Sequence, residues 1–192
     1  NSNTMKRDLI TIGVVSRLSY EKNIGFFLTV ASMLKFQHNI KAKYVIIGDG
    51  PAISDLRYLA TSLKVANDTT FLGYLRSTEI AQHVSKFDIF FNPTTSTETF
   101  CMANIEAMAL GIPVIASNVG MNNKIIDNMQ NGILVNNNKS EWVKHFKLLL
   151  DNAELRNFIG KNARESIKKN YSTDIVGKKY INIFEGLLKN NV

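Results

Sequence analysis

A chain of 192 residues that is 45% hydrophobic and 20% charged is ordinary for one globular domain with a substantial core. Its lone cysteine, Cys101, excludes an internal disulfide, and no apolar run approaches the roughly 18 residues that span a bilayer, so a soluble, cytoplasmic chain is expected. The net charge of +7 favours anionic partners. The absence of zinc-finger and RNP patterns, and of aromatic residues interleaved with the basic ones, argues against nucleic acid.

Along the chain, apolar runs of strand length alternate with stretches of helical periodicity. "LITIGVV" (9–15) is followed by "NIGFFLTVASMLKF", in which Phe27, Val30, Ala31 and Leu34 recur at helical spacing. The same unit returns as "KYVIIG" with "PAISDLRYLATSL", "TTFLG" with "STEIAQHVSKF", "DIFFNP" with "MANIEAMAL", and "PVIAS" with "NNKIIDN". A sixth run, "GILV", precedes a helical tail. Strands that are apolar without alternation are buried on both faces, which is the pattern of a parallel sheet between helices. The expected fold is a doubly wound, Rossmann-like α/β domain of about six strands spanning 9–192. Residues 1–8 are expected to be an interdomain linker or an expression remnant.

In such a fold the chemistry gathers in loops at the carboxyl ends of the strands. "GVVSRLSYEKN" (13–23) lacks the G-x-G-x-x-G and P-loop patterns, but it sets Arg17 and Lys22 between a strand end and a helix start. A guanidinium fork and a mobile ammonium together suit a diphosphate, although two loop cations can also serve solubility alone. In "TETFCMANIEAMALGIPVIA" (97–116), Met102, Ile105 and Ala109 are expected on one helix face, with Glu106 at its border and partly desolvated. A carboxylate in that position needs donors, and the vicinal hydroxyls of a ribose are one source. Glu98 stands in the loop before the helix, and the helix start between the two glutamates offers backbone amides to an anion.

Glu98, seven residues, Glu106 and then "AMALGIPVIAS" resemble the E-x7-E segment of the retaining glycosyltransferases of family GT4, whose fold is GT-B. The similarity extends over nearly the whole chain. "GVVSRLSYEKN" resembles that family's Gly-Arg-Leu and Lys loop, "VIIGDGP" its Gly-x-Gly-Pro turn, "FLGYL" its base-side loop and "NGILV" its last strand. The resemblance implies that Arg17 and Lys22 bind the donor diphosphate, Glu106 the ribose and Glu98 the transferred sugar. It puts the backbone of Phe100, Cys101, Met102 and Ala103 at the phosphates, Gly73, Tyr74 and Leu75 near the base, and Gly13 in the donor site. It further implies a nucleotide-sugar donor, no metal or other cofactor, and a partner half, the N-terminal acceptor-binding domain, that this chain does not contain.

Two departures stand out. Cys101 occupies a position where the family usually has Gly, which permits unusual backbone conformations and close phosphate approach. Gly120, Met121 and Lys124 replace a Gly-Gly pair and a downstream Glu, which puts a sugar contact in question. A GT-B epimerase or phosphorylase, and a non-catalytic nucleotide-sugar-binding module, remain as alternatives. From Lys139 onward there are 11 Lys or Arg against 6 Asp or Glu, which fits either a solvated helix surface or attachment to the inner face of a membrane. Trp142, Phe146, Leu149 and Leu150 are expected to form the packing face of the tail. Asp49 is expected as a turn residue, and His38, His83 and His145 lack metal-ligand spacing.

Overall fold

A computed structural model describes residues 9–95, 100–136 and 138–189. Each apolar run forms a strand: β1 Thr11–Val15, β2 Lys43–Ile47, β3 Thr69–Gly73, β4 Ile89–Asn92, β5 Val114–Ser117 and β6 Ile133–Val135. They pair in parallel in the order β3-β2-β1-β4-β5-β6. The order reverses between β1 and β4, which places a switch-point crevice at their carboxyl ends.

The helices are α1 Ile24–Gln37, α2 Ile53–Ser62, α3 Ser77–Val84, α4 Met102–Ala109, α5 Asn122–Ile125, α6 Lys139–Asp151, α7 Ala153–Asn170 and α8 Thr173–Lys189. Successive strand side chains supply two separate cores. Ile12, Val14, Phe91 and Ile115 pack with α1 and α6, whereas Phe90, Val114 and Ala116 pack with α4 and α7. The expected helical positions Phe27, Val30, Ala31 and Leu34 are all buried in the first core. Phe91 is its centre, 4.8 Å from the ring of Phe27, 4.7 Å from Trp142 and 5.2 Å from Phe146. The tail aromatics are thus packing residues, as their spacing implies.

Two local differences from the sequence reading have plain causes. "NNKIIDN" yields only the single turn α5, because Ile126 turns to an extended backbone, φ −100° and ψ 117°. The expected helical tail divides into three helices, α6, α7 and α8. Asn152 is extended, ends α6, and caps α7 by accepting a hydrogen bond from Leu155 N at 2.9 Å. Beyond it, α8 leaves Tyr180, Ile181, Phe184, Leu187 and Leu188 exposed. No helix among the described residues is long and apolar enough to cross a membrane.

α7 holds α4 from behind through a close backbone contact. A Cβ on Gly160 would stand 2.1 Å from the carbonyl oxygen of Gly111, just past the end of α4. Helix propensity alone makes Gly160→Ala stabilising by up to about 1 kcal/mol, whereas overpacking costs about 2 kcal/mol. Urea unfolding of Gly160→Ala is therefore expected to show a net loss of stability; a gain would mean that α7 does not seat on Gly111.

Candidate functional site

The loop after β1 is laid against the turn after β2. Ser16 N donates to Ile47 O at 3.0 Å, Leu18 N to Asp49 O at 2.9 Å, and Ala52 N to Leu18 O at 2.9 Å. The approach is so close that a Cβ on Gly48, whose φ is +129°, would stand 1.8 Å from the Ser16 carbonyl oxygen. This is the physical need behind "GDGP". Asp49 is a turn residue, its Oδ1 accepting from Gly50 N at 2.7 Å. Gly13, in contrast, is the middle residue of β1, and the Phe87 ring lies 1.9 Å from where its Cβ would stand. Its role is packing inside the sheet rather than contact at the edge, which corrects its expected place in the donor site.

The same loop is clamped to the loop after β4. Glu21 O accepts from Thr95 N at 3.0 Å and from the hydroxyls of Thr94 and Thr95 at 3.3 and 3.2 Å. Asn23 Nδ2 donates to Pro93 O at 3.3 Å. Between these ties, Lys22 is half-buried and Arg17 projects outward, its side chain 71% exposed, donating to Glu21 Oε1 at 3.1 Å. The Ser19 hydroxyl donates to the same oxygen at 2.6 Å. That hydroxyl, with a backbone amide and Arg17 adding to it, holds the Glu21 carboxyl down at about 2.

α4 opens beside this clamp. Its first amides, on Met102, Ala103 and Asn104, have no intrahelical acceptor, and Cys101 at the cap position makes no side-chain capping bond to them. The backbone at Cys101 does not need glycine: its φ of −84° and ψ of 91° suit any residue. Its buried thiol turns inward to accept from Asn92 Nδ2 at 3.1 Å. The buried face of α4 is Asn104, Ile105, Ala107 and Met108. Met102, Glu106 and Ala109 therefore share the exposed face, and the partial desolvation expected for Glu106 is absent. A stripe inferred from three residues missed that the polar Asn104 points into the core. Phe100 is 42% exposed, its ring 5.9 Å from that of Tyr171.

Glu98 lies outside the described residues. Gly73, at φ +71°, ends β3 and accepts from Gly48 N at 2.8 Å; Tyr74 is exposed and Leu75 half-buried. The loop after β5 turns at Gly120, φ +54°, and Lys124 is exposed on α5. Arg17, Lys22, Phe100, Cys101, Met102, Ala103 and Glu106 thus share the carboxyl side of the switch point, and the loop at 73–75 adjoins it through Gly48. A cavity of about 440 Å³ lies elsewhere, toward the amino ends of β1–β3, lined by Leu9, Thr11, Lys43, Val45 and Phe87 among others. Its mostly apolar wall lacks a paired Arg and Lys and a helix start, so the edge loops are the better candidate.

Sequence reasoning missed a buried polar chain under α4. Asn92 Nδ2 donates to Asn104 Oδ1 at 3.0 Å, Asn104 Nδ2 to Asn122 Oδ1 at 2.9 Å, and Asn122 Nδ2 to Ser117 O at 2.9 Å. The available signal was an asparagine closing the apolar strand "IFFN" and another inside the apolar helix "MANIEAMAL".

The sequence model of the family described as "Glycosyl transferases group 1" matches residues 1–166. An alpha-monoglucosyldiacylglycerol synthase of Acholeplasma laidlawii is 29% identical over 188 residues, 97% of this chain and 46% of that protein. A structure of S. aureus TarM in complex with Fondaparinux, alpha-GlcNAc-glycerol and UDP superposes with a TM-score of 0.81 at 25% identity, covering 93% of this chain and 36% of TarM. Anabaena HepE in complex with UDP has the same fold, with a TM-score of 0.85 at 21% identity over 93% of this chain and 49% of HepE. The chain spans less than half the length of each.

The depressed Glu21 carboxyl gives a pH signature. A folded-state value below the ordinary 4.5 contributes stability that is present above about pH 4.5 and is lost as the pH falls toward about 2. Carboxyl NMR titration is expected to place Glu21 near 2. Ser19→Ala is expected to raise it further than Arg17→Ala does; the reverse order would make the ion pair the larger cause.

Proposed function

Because the chain belongs to the group 1 glycosyl transferases, we propose that it is the donor-binding half of a retaining glycosyltransferase that moves a sugar from a nucleoside diphosphate to an acceptor. The observation that carries this reading is the clamp across the β1–β4 switch point. It brings Arg17 and Lys22 to the same edge as the start of α4, with Glu106 exposed one turn along that helix.

Arg17 and Lys22 bind the diphosphate, and the backbone at Phe100, Cys101, Met102 and Ala103 meets phosphate oxygens. Glu106 accepts from the ribose hydroxyls, Glu98 from hydroxyls of the transferred sugar, and Gly73, Tyr74 and Leu75 lie against the base. As the sugar departs, negative charge grows on the diphosphate, where the two cations and the helix start stabilise it more strongly than in the ground state. The chemistry needs no metal. The acceptor is a polysaccharide, glycolipid or glycoprotein. Of these, the glycolipid is favoured by the name of the A. laidlawii relative. An N-terminal half contributes the acceptor site, in keeping with the 46% of that relative covered here. This chain alone binds donor and transfers poorly, because half a cleft cannot hold both reactants together.

Calorimetric titration with UDP, GDP and ADP sugars is expected to single out one base. Arg17→Ala and Glu106→Ala are each expected to weaken binding at least about tenfold, from the loss of a charge-assisted contact. Both side chains are exposed, so the melting temperature stays unchanged. No binding at millimolar concentration by the unsubstituted chain would overturn the reading.

A further inference from the structure

The amide chain beneath α4 is costly to build. Asn104 and Asn122 are 0% and 1% exposed, and Asn92 and Ser117 are 9% and 2% exposed. Taking three amides from water is unfavourable unless each finds partners, and a layer of leucines would fill the same space at no polar cost. Every amide here is partnered. Asn92 uses Nδ2 twice, toward Cys101 Sγ and Asn104 Oδ1, and its Oδ1 accepts from Thr94 N at 3.4 Å. Asn104 and Asn122 each accept at Oδ1 and donate from Nδ2.

The chain joins four segments: the end of β4, the first turn of α4, the first residue of α5 and the end of β5. Apolar packing tolerates small slides and rotations, whereas a run of directional bonds fixes both distance and angle. We propose that Asn92, Asn104 and Asn122 form a relay of positioning residues that holds the first amides of α4 at a fixed height and tilt against the Gly120 loop. The inference rests on the donor-binding reading above and adds to it what aligns the helix start with a diphosphate. It also accounts for Cys101, whose thiol serves as an acceptor of the relay. None of the three asparagines touches the donor; each acts through the backbone of α4.

The test separates alignment from folding by a ratio. The diphosphate and monophosphate of whichever of uridine, guanosine and adenosine binds are titrated into the unsubstituted chain, Asn104→Leu, Asn122→Leu and the double variant. Loss of folded protein lowers both affinities alike, whereas misalignment of the helix start lowers the diphosphate affinity selectively. The diphosphate-to-monophosphate ratio is expected to fall about tenfold in each single variant and no further in the double, because one relay is severed either way. A ratio within twofold of the unsubstituted chain overturns the relay and leaves the donor-binding reading standing. Losses that multiply in the double variant also overturn it, since they mark two independent effects. If Asn104→Leu does not fold, Asn122→Ser, too short to bridge Asn104 and Ser117 O, is read by the same ratio and the same limits. Failure of the unsubstituted chain to bind any of these nucleotides overturns the donor-binding reading and the relay with it.

Discussion

The carbonyl of Ser16 occupies the space where Gly48 would otherwise carry a Cβ, and the candidate site depends on that contact. A parallel sheet buried on both faces has no free face for chemistry, so functional groups must gather where the strands stop. At the end of β1 the backbone folds down onto the turn after β2, then across to Thr94 and Thr95 after β4. Three strand ends are thereby tied into one frame. Arg17 and Lys22 ride on that frame, and α4 begins beside it. A side chain at position 48 would push the loop away and take the cations with it.

The electrostatics of the frame suit exchange rather than storage. Arg17 is bonded to Glu21 at the surface, and an exposed ion pair of this kind contributes little to stability. In the donor-binding reading proposed above, a diphosphate takes the guanidinium from Glu21 at small cost and gains a bidentate partner. The Ser19 hydroxyl, the first cause of the depressed Glu21 carboxyl, bonds it independently of Arg17. The first amides of α4 carry no side-chain cap from Cys101, so the same reading asks no exchange of them.

Much of this was legible in the sequence, for reasons particular residues make plain. Six apolar runs gave the strands because burial on both faces forces Val, Ile and Phe into unbroken stretches, and the alternation with helical periodicity gave the parallel order. Arg17 and Lys22 were legible because a strand end followed by cations is a local pattern. The inward turn of Cys101 was not, since it depends on Asn92, nine residues away and on another element. The exposed setting of Glu106 was missed because a small polar residue, Asn104, takes the inner face of α4 in place of Met102. The break between α6 and α7 at Asn152 had a readable capping signal in "DNAEL". The relay from Asn92 to Ser117 showed only as two asparagines set in apolar runs, because its bonds form only once four segments are brought together.

Amide NMR mapping of a saturating nucleoside diphosphate on this chain tests the central claim most directly. The account predicts shifts confined to residues 17–23, 73–75 and 100–106, the loops and helix start at the switch point. Shifts centred instead on Leu9, Lys43 and Phe87, at the opposite end of the sheet, would contradict it.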